Sequence, residues 1–412
     1  MHGDVRELRR VLYCGVRVRE VALAAVFAAC GGARANEVTV PTAPVPVAAD
    51  AAAPVEAHAF DDRPFTAGPP IRFTIARGHA KTTRFPVSSS AGATVAPDGV
   101  TYVVDVIEPK RSGALLVSPS TPKGVRFSTK EVHDVRFSPS GKEVLILDDE
   151  TRTVTVLSVP DGRELASARP VHVARFVDDD TVPLWDGCHL VVLSPRTGQK
   201  RTVSDERCGG ADASDDGRVF VVGAPSRAGV TLERTPYRTL DRIDGVTGRI
   251  TPIVHSSGDE PMQSIRLAPT GDKVCFYEGT RPACVTTGEG HPIPLPAGAD
   301  VFGMVFSLEG TRVVYPGGKD LTVADFSTRT VRELDLGSPD IRYWHFLPGG
   351  KRIVVYQAGA WACDLVSEVC EEIHPKTVEP GGFTVVPGTD RRFVLGVESG
   401  PTRGFSFVDL PN

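Results

Sequence analysis

One period constrains this chain more than anything else in it. Short corners such as Ala96-Pro97-Asp98-Gly99 and Ser138-Pro139-Ser140-Gly141 recur at 177–180, 214–217, 268–271, 307–310, 347–350 and 387–390. Measured at their last residues, successive corners lie 42, 39, 37, 54, 39, 40 and 40 residues apart. An apolar run follows nearly every corner, as in Val144 to Leu147, Val274 to Tyr277 and Ile353 to Tyr356. Between Val132 and Arg163 the pattern resolves into three short strands and a Pro160-Asp161-Gly162 turn opening a fourth. Proline presets φ and glycine supplies positive φ, which tight antiparallel connections require. The repeating unit is therefore a four-stranded meander of about 40 residues, the period of a propeller blade. With 41 glycines and 34 prolines, and no sustained 3.6-residue periodicity after the first thirty residues, long helices are excluded.

The run Phe137-Ser138-Pro139-Ser140-Gly141-Lys142, then a strand, then a turn of the kind Asp244-Gly245-Val246-Thr247-Gly248, resembles the WD40-like repeat of TolB-type β-propellers. The resemblance spans residues 85–412 and implies an all-β propeller of four-stranded blades. The corner count predicts eight blades, or seven if one irregular unit does not form a full blade. The Trp-Asp pair ending the third strand of true WD40 repeats is absent, so none of that family's network residues is carried over. The chain reaches only a third strand at Gly404 to Leu410, and Ile71 to Val87 is expected to complete that last blade and close the ring.

The amino terminus reads as an export signal. Arg17 and Arg19 precede a nine-residue apolar run, Val21 to Ala29, too short to span a bilayer, and Phe27-Ala28-Ala29-Cys30 resembles a bacterial lipobox with Cys30 as the lipidated residue. Ala33-Arg34-Ala35 offers a rival cleavage site that would release a soluble periplasmic or secreted protein. Residues 31–70, rich in Ala and Pro, read as a disordered tether, which leaves 1–30 as signal and 71–412 as propeller. Cys14 also lies in the signal region, and the remaining six cysteines form sequential pairs. Counting outward from Gly279-Thr280 sets Cys275 opposite Cys284, and counting from Val366-Ser367 sets Cys363 opposite Cys370. Cys188 and Cys208 flank a looser hairpin. Three disulfides, an oxidising compartment and a cell-envelope location follow.

A net charge of −5 without a basic run gives no footprint for nucleic acid. No nucleophile elbow, phosphate loop, zinc-protease helix or haem motif occurs. The expected function is a non-catalytic, monomeric, membrane-anchored scaffold that binds another envelope protein and needs no cofactor. The alternative is a propeller hydrolase or lactonase using a channel-bound divalent metal, for which His133 and His172 occupy matching inner-strand positions. The 54-residue spacing contains an insertion, residues 224–238, that carries Arg227, Arg234, Tyr237 and Arg238. Arginine and tyrosine are enriched at binding hot spots, so these four are the expected partner-binding residues.

Overall fold

The apolar runs after the corners are nearly continuous, the pattern of a strand covered on both sides. The structure is a computed structural model describing residues 63–410 apart from 77–79, 85–92, 109–110, 129–131, 226–236, 257–261, 297, 318–319, 338–340, 342, 357–358, 375–378, 388, 390 and 400–401. The signal, the tether to residue 62 and Cys30 lie outside the described residues. Among the described residues there are strands and turns but no helix.

In the sheet at 132–168, Glu143–Asp148 lies between Val132–Phe137 and Thr153–Ser158, with Glu164–Ala168 outermost, all antiparallel. Every residue of Glu143–Asp148 is buried. Val144 and Ile146 pack with Val103, Ala114 and Leu116 of the preceding sheet. Leu145 and Leu147 pack with Ala174, Phe176, Val182 and Leu184 of the following one. Alternate side chains of a strand point to opposite faces, so a single apolar run contributes to two cores.

The same meander recurs at 93–128, 173–202, 210–255, 262–293, 305–335 and 343–374. Tyr237 pairs with Met262 and joins the sheets at 210–255 and 262–293. Apolar clusters fill the seams between consecutive meanders. A further cluster joins the two ends, with Val95, Tyr102 and Val104 against Val386, Val394 and Phe407.

The corners explain the period. In each of six corners the terminal glycine, Gly99, Gly141, Gly217, Gly271, Gly310 or Gly350, has φ between 59 and 74°, which costs a residue with a Cβ but not glycine. The glycine N–H donates to the first corner carbonyl, as Gly141 does to Ser138 at 2.8 Å. Where that first residue is serine, its buried hydroxyl also accepts from the next strand, as Ser214 Oγ does from Val219 N at 3.0 Å. The aspartates that end third strands cap their own turns. Asp364 Oδ1 accepts Val366 N at 2.9 Å and Ser367 N at 3.0 Å, and Asp325 and Asp244 do the same. Burial alone would raise these carboxyls, but the turn donors hold all three below the ordinary value.

The chain start departs from the expected path. Residues 379–409 supply three strands, and the fourth is Lys81–Arg84, antiparallel to Thr402–Asp409 with Arg84 opposite Ser406. Only this part of the expected 71–87 segment closes the last sheet. Thr66–Ala67 and Ile71–Arg72 instead run parallel to Thr330–Asp335, and Thr74–Ala76 runs parallel to Val369–His374. A strap arriving from outside must cross the outer edges of two earlier sheets, and their unpaired backbone groups satisfy its own on the way. Phe65 anchors it edge-on to Phe326 at 5.6 Å, with the Arg329 guanidinium 5.4 Å from its ring centre. Arg332 Nε donates to Pro69 O at 2.9 Å. Ile71, 1% exposed, enters the apolar seam with Leu321, Leu334 and Ile353.

Candidate functional site

The inner strands carry a charge network. Arg136 Nε donates to Asp134 Oδ1 at 3.0 Å and its Nη1 to Asp215 Oδ1 at 3.4 Å. Arg175 Nη1 reaches Asp134 Oδ2 at 2.5 Å, and Asp212 Oδ2 accepts Leu267 N at 3.1 Å. The network therefore links strands of four consecutive meanders. Burial works against the Arg136 charge, but Asp134, Asp215 and Asp212 raise its pKa above the ordinary value. These carboxylates are engaged in ion pairs and hydrogen bonds that join neighbouring inner strands.

Of the expected histidine pair, only His172 has a described side chain. The His133 side chain lies outside the described residues. His172 stands near Gly187, where burial, then Arg152, lowers its pKa. Among the described residues, the one group of three metal-type donors within 4.8 Å of one another is Cys188, Glu206 and Cys208, whose two sulfurs are joined in a disulfide. His345, on an inner strand, is pushed down to about 4 by burial.

An aromatic edge stands out that the corner pattern did not point to. Phe302 is 59% exposed and Tyr343 57%, and they adjoin Gly303 and Trp344, whose Nε1 donates to Gly303 O at 3.2 Å. Gly303 has no room for a side chain, since a Cβ there would lie 2.6 Å from Pro316 Cδ. Phe302 packs on Tyr277 with ring centres 5.3 Å apart. Tyr277 donates to Asp300 Oδ1 at 2.6 Å and accepts from Val301 N at 3.0 Å, while Phe302 N also donates to Asp300 Oδ1 at 3.0 Å. Burial, aided by the Asp300 bond, pushes the Tyr277 phenol up to about 12. The Phe302 ring thus stands on a backbone held by Tyr277, Asp300 and Trp344, and Tyr343 is exposed at the start of the following inner strand. The sequence signal of this edge is an aromatic residue at or just ahead of the start of an inner strand, Phe302 before Val305–Phe306 and Tyr343 opening Tyr343–Phe346.

Arg227 and Arg234 lie outside the described residues. Tyr237 corrects the expectation for the insertion. It is 8% exposed and packs with Val221, Leu240 and Met262, and its ring fills the space over Gly223. A core tyrosine cannot be a contact residue, and it fell inside the expected site because the strand begins at Tyr237, two residues earlier than an insertion ending at 238 implied. Arg238 is half-buried on the same strand, with its carbonyl accepting Ser256 N at 2.9 Å.

The structure joins Cys188 to Cys208, Cys275 to Cys284 and Cys363 to Cys370. The last two pairs stand directly opposite in their hairpins. Cys275, Cys284, Cys363 and Cys370 are all buried, whereas Cys208 is exposed.

No family model and no curated protein matches the sequence. Solved structures do. The Dos1 propeller superposes with TM-score 0.53 at 12% identity, covering 79% of this chain and 94% of that one. The Cps50 (Swd1) β-propeller domain of Myceliophteria thermophila gives 0.44 at 12% identity over 80% and 98%, and Hsv2 of Kluyveromyces lactis gives 0.45 at 11% over 69% and 97%. Together with the repeated meanders, the superposition on Dos1 establishes the architecture of the described chain as a β-propeller.

Proposed function

We propose that this chain is an exported, lipid-anchored propeller of eight four-stranded blades, of the TolB-like kind, that binds another envelope protein on one face. Seven meanders from within 93–374 and a last one completed by Lys81–Arg84 support the blade count. Three disulfides and the signal-like segment ending at Cys30 favour an oxidising compartment. The observation that carries the binding role is the exposure of two large rings, Phe302 on a held backbone and Tyr343 at the start of the next inner strand. Large exposed rings on a rigid backbone lose little entropy on association and are typical of binding hot spots. The insertion with Arg227 and Arg234 joins second to third strands, and Tyr237 at its end pairs with the start of the next inner strand. Its described ends, Pro225 and Tyr237, lie at the sheet end where the connector carrying Phe302 also leads into an inner strand.

Partner retention by a cross-linked pull-down from envelope extracts tests this. The double change Phe302→Ser with Tyr343→Ser, and separately Arg227→Ala with Arg234→Ala, is expected to reduce retention at least tenfold with the melting temperature within a few degrees of the parent. Undiminished retention by both variants would remove this face as the binding surface. For the anchor, Cys30→Ser is expected to move the protein from the membrane fraction to the soluble one. Unchanged fractionation would refute lipidation at Cys30.

A further inference from the structure

The residue two places after each corner glycine starts the second strand and points into the seam toward the next meander. Its carbonyl accepts the N–H of the residue that opens the corner, which makes Thr101, Glu143, Val219, Lys273, Arg312, Arg352 and Arg392 structurally equivalent. At four of these positions the residue is a cation. Arg312 pairs with Asp325 at 2.7 Å and donates from Nη1 to Gly350 O, in the next corner, at 2.7 Å. Arg352 pairs with Asp364 at 3.0 Å and Arg392 with Asp409 at 3.3 Å. Lys273 lies 5.8 Å from the Phe326 ring centre of the following meander.

At 143 the charge is reversed. Glu143 stands opposite Ser158, where Arg312 faces Asp325 and Arg352 faces Asp364. It is 5% exposed, and Oε2 is buried with no partner among the described residues. The corner it meets is Asp178-Asp179-Asp180. Asp179 Oδ1 accepts Ser140 N at 3.3 Å and the Asp179 carboxylate is also bonded to Ser138, whose hydroxyl in turn accepts Glu143 N at 3.3 Å. Asp180 Oδ1 accepts Ser194 Oγ at 2.7 Å. Burial, then Asp179, Arg196 acting in the opposite sense, Asp180 and Asp178, set a raised Glu143 pKa. Glu143 and the three turn aspartates thus border one seam. The neighbouring cations are Arg196, which acts on Glu143, and Lys142, which acts on Asp179, and both side chains are exposed.

We propose that the seam between the 132–168 and 173–202 meanders binds one calcium ion through Glu143 and the Asp178–Asp180 turn, the ion taking the place that the Arg312 guanidinium fills between the 305–335 and 343–374 meanders. The donors are all oxygens, the set that hard cations prefer, and the turn that carries three of them has its first aspartate exposed and the other two half-buried. The seam carboxylates do not form a group of three within 4.8 Å of one another, so binding draws the Asp178–Asp180 turn inward onto Glu143. In an extracellular compartment an affinity in the 10⁻⁴ to 10⁻³ M range suffices, roughly that of extracellular calcium modules.

The test is thermal unfolding of the full chain with bridges intact, in 2 mM calcium chloride and in EDTA at matched ionic strength, with calorimetric titration of calcium chloride for stoichiometry. The parent is expected to gain several degrees in calcium and to bind one ion. Glu143→Gln is expected to lose that gain. Glu143→Arg is expected to melt in EDTA close to the calcium-loaded parent and to gain nothing more from calcium. Should Glu143 variants fold poorly, Asp178→Asn with Asp180→Asn, on the surface turn, serves the same purpose. A parent indifferent to calcium would overturn the proposal, as would an undiminished calcium gain in Glu143→Gln or in the aspartate pair.

Discussion

Ile71→Asp is expected to lower stability by about 3–5 kcal/mol, the usual cost of an unpaired charge left in an apolar interior. Ile71 is 1% exposed in a seam with Leu321, Leu334, Ile353 and Val355, and none of these can solvate a carboxylate. For a domain of this size the shift in melting temperature is about 5–10 °C. Deleting residues 63–84 is expected to do more, because it removes this anchor, the Phe65 contact and the fourth strand of the last sheet together. The Thr402–Asp409 edge would then present unpaired backbone groups, so the shortened chain is expected to self-associate as well as to melt early. Thermal melting with light scattering checks both. A deletion variant as stable and as monomeric as the parent would show that the strap is ornamental to the ring.

Loss of all three disulfides is the second large effect. The bridges close loops with sequence separations of 20, 9 and 7 residues, so chain-entropy arguments give each about 2–3 kcal/mol. Cys275, Cys284, Cys363 and Cys370 also lie in apolar clusters, where two free thiols must fit in place of one bridge. A variant with all six changed to Ala is expected to melt more than 10 °C below the oxidised parent. Production in a reducing cytosol is expected to yield mostly insoluble chain. Exposed Cys208 makes its bridge the first to open under mild reductant, with the buried pairs following only on unfolding. Non-reducing peptide mapping after graded reduction reads this order, and simultaneous loss of all three would contradict it.

Much of the architecture was legible because the corners are local. Ser138 to Gly141 specifies its own turn through a glycine at positive φ and a serine folded back onto the next strand, so period and strand order follow from short-range chemistry. The cysteine registers were equally local, since a symmetric hairpin fixes which residues face each other. The strap was only half legible. Nothing within 63–84 says which of several open sheet edges it will pair with, because parallel edge pairing carries no turn signal. Tyr237 was misread because composition alone does not tell a loop tyrosine from the first residue of a buried strand. The Phe302 edge stayed hidden for the converse reason, as its exposure depends on Trp344 and Pro316 from two other sheets. Glu143 was visible as a letter in the motif, but its reversal of charge has meaning only once the seams are aligned in space.

The double use of each second strand also bears on how the molecule unfolds. Since Val144 and Leu145 belong to different cores, each meander is coupled to its two neighbours and to little else, a nearest-neighbour system of the kind found in repeat proteins. In an open array such coupling allows fraying, because a terminal repeat leaves at the cost of one interface. Here the cluster of Val95 and Tyr102 with Val386 and Phe407 removes the ends, so detaching any one meander breaks two interfaces at once. Partial opening is therefore penalised about twice over. Hydrogen exchange in the second strands is expected to report a nearly uniform, global event instead of a gradient from one terminus.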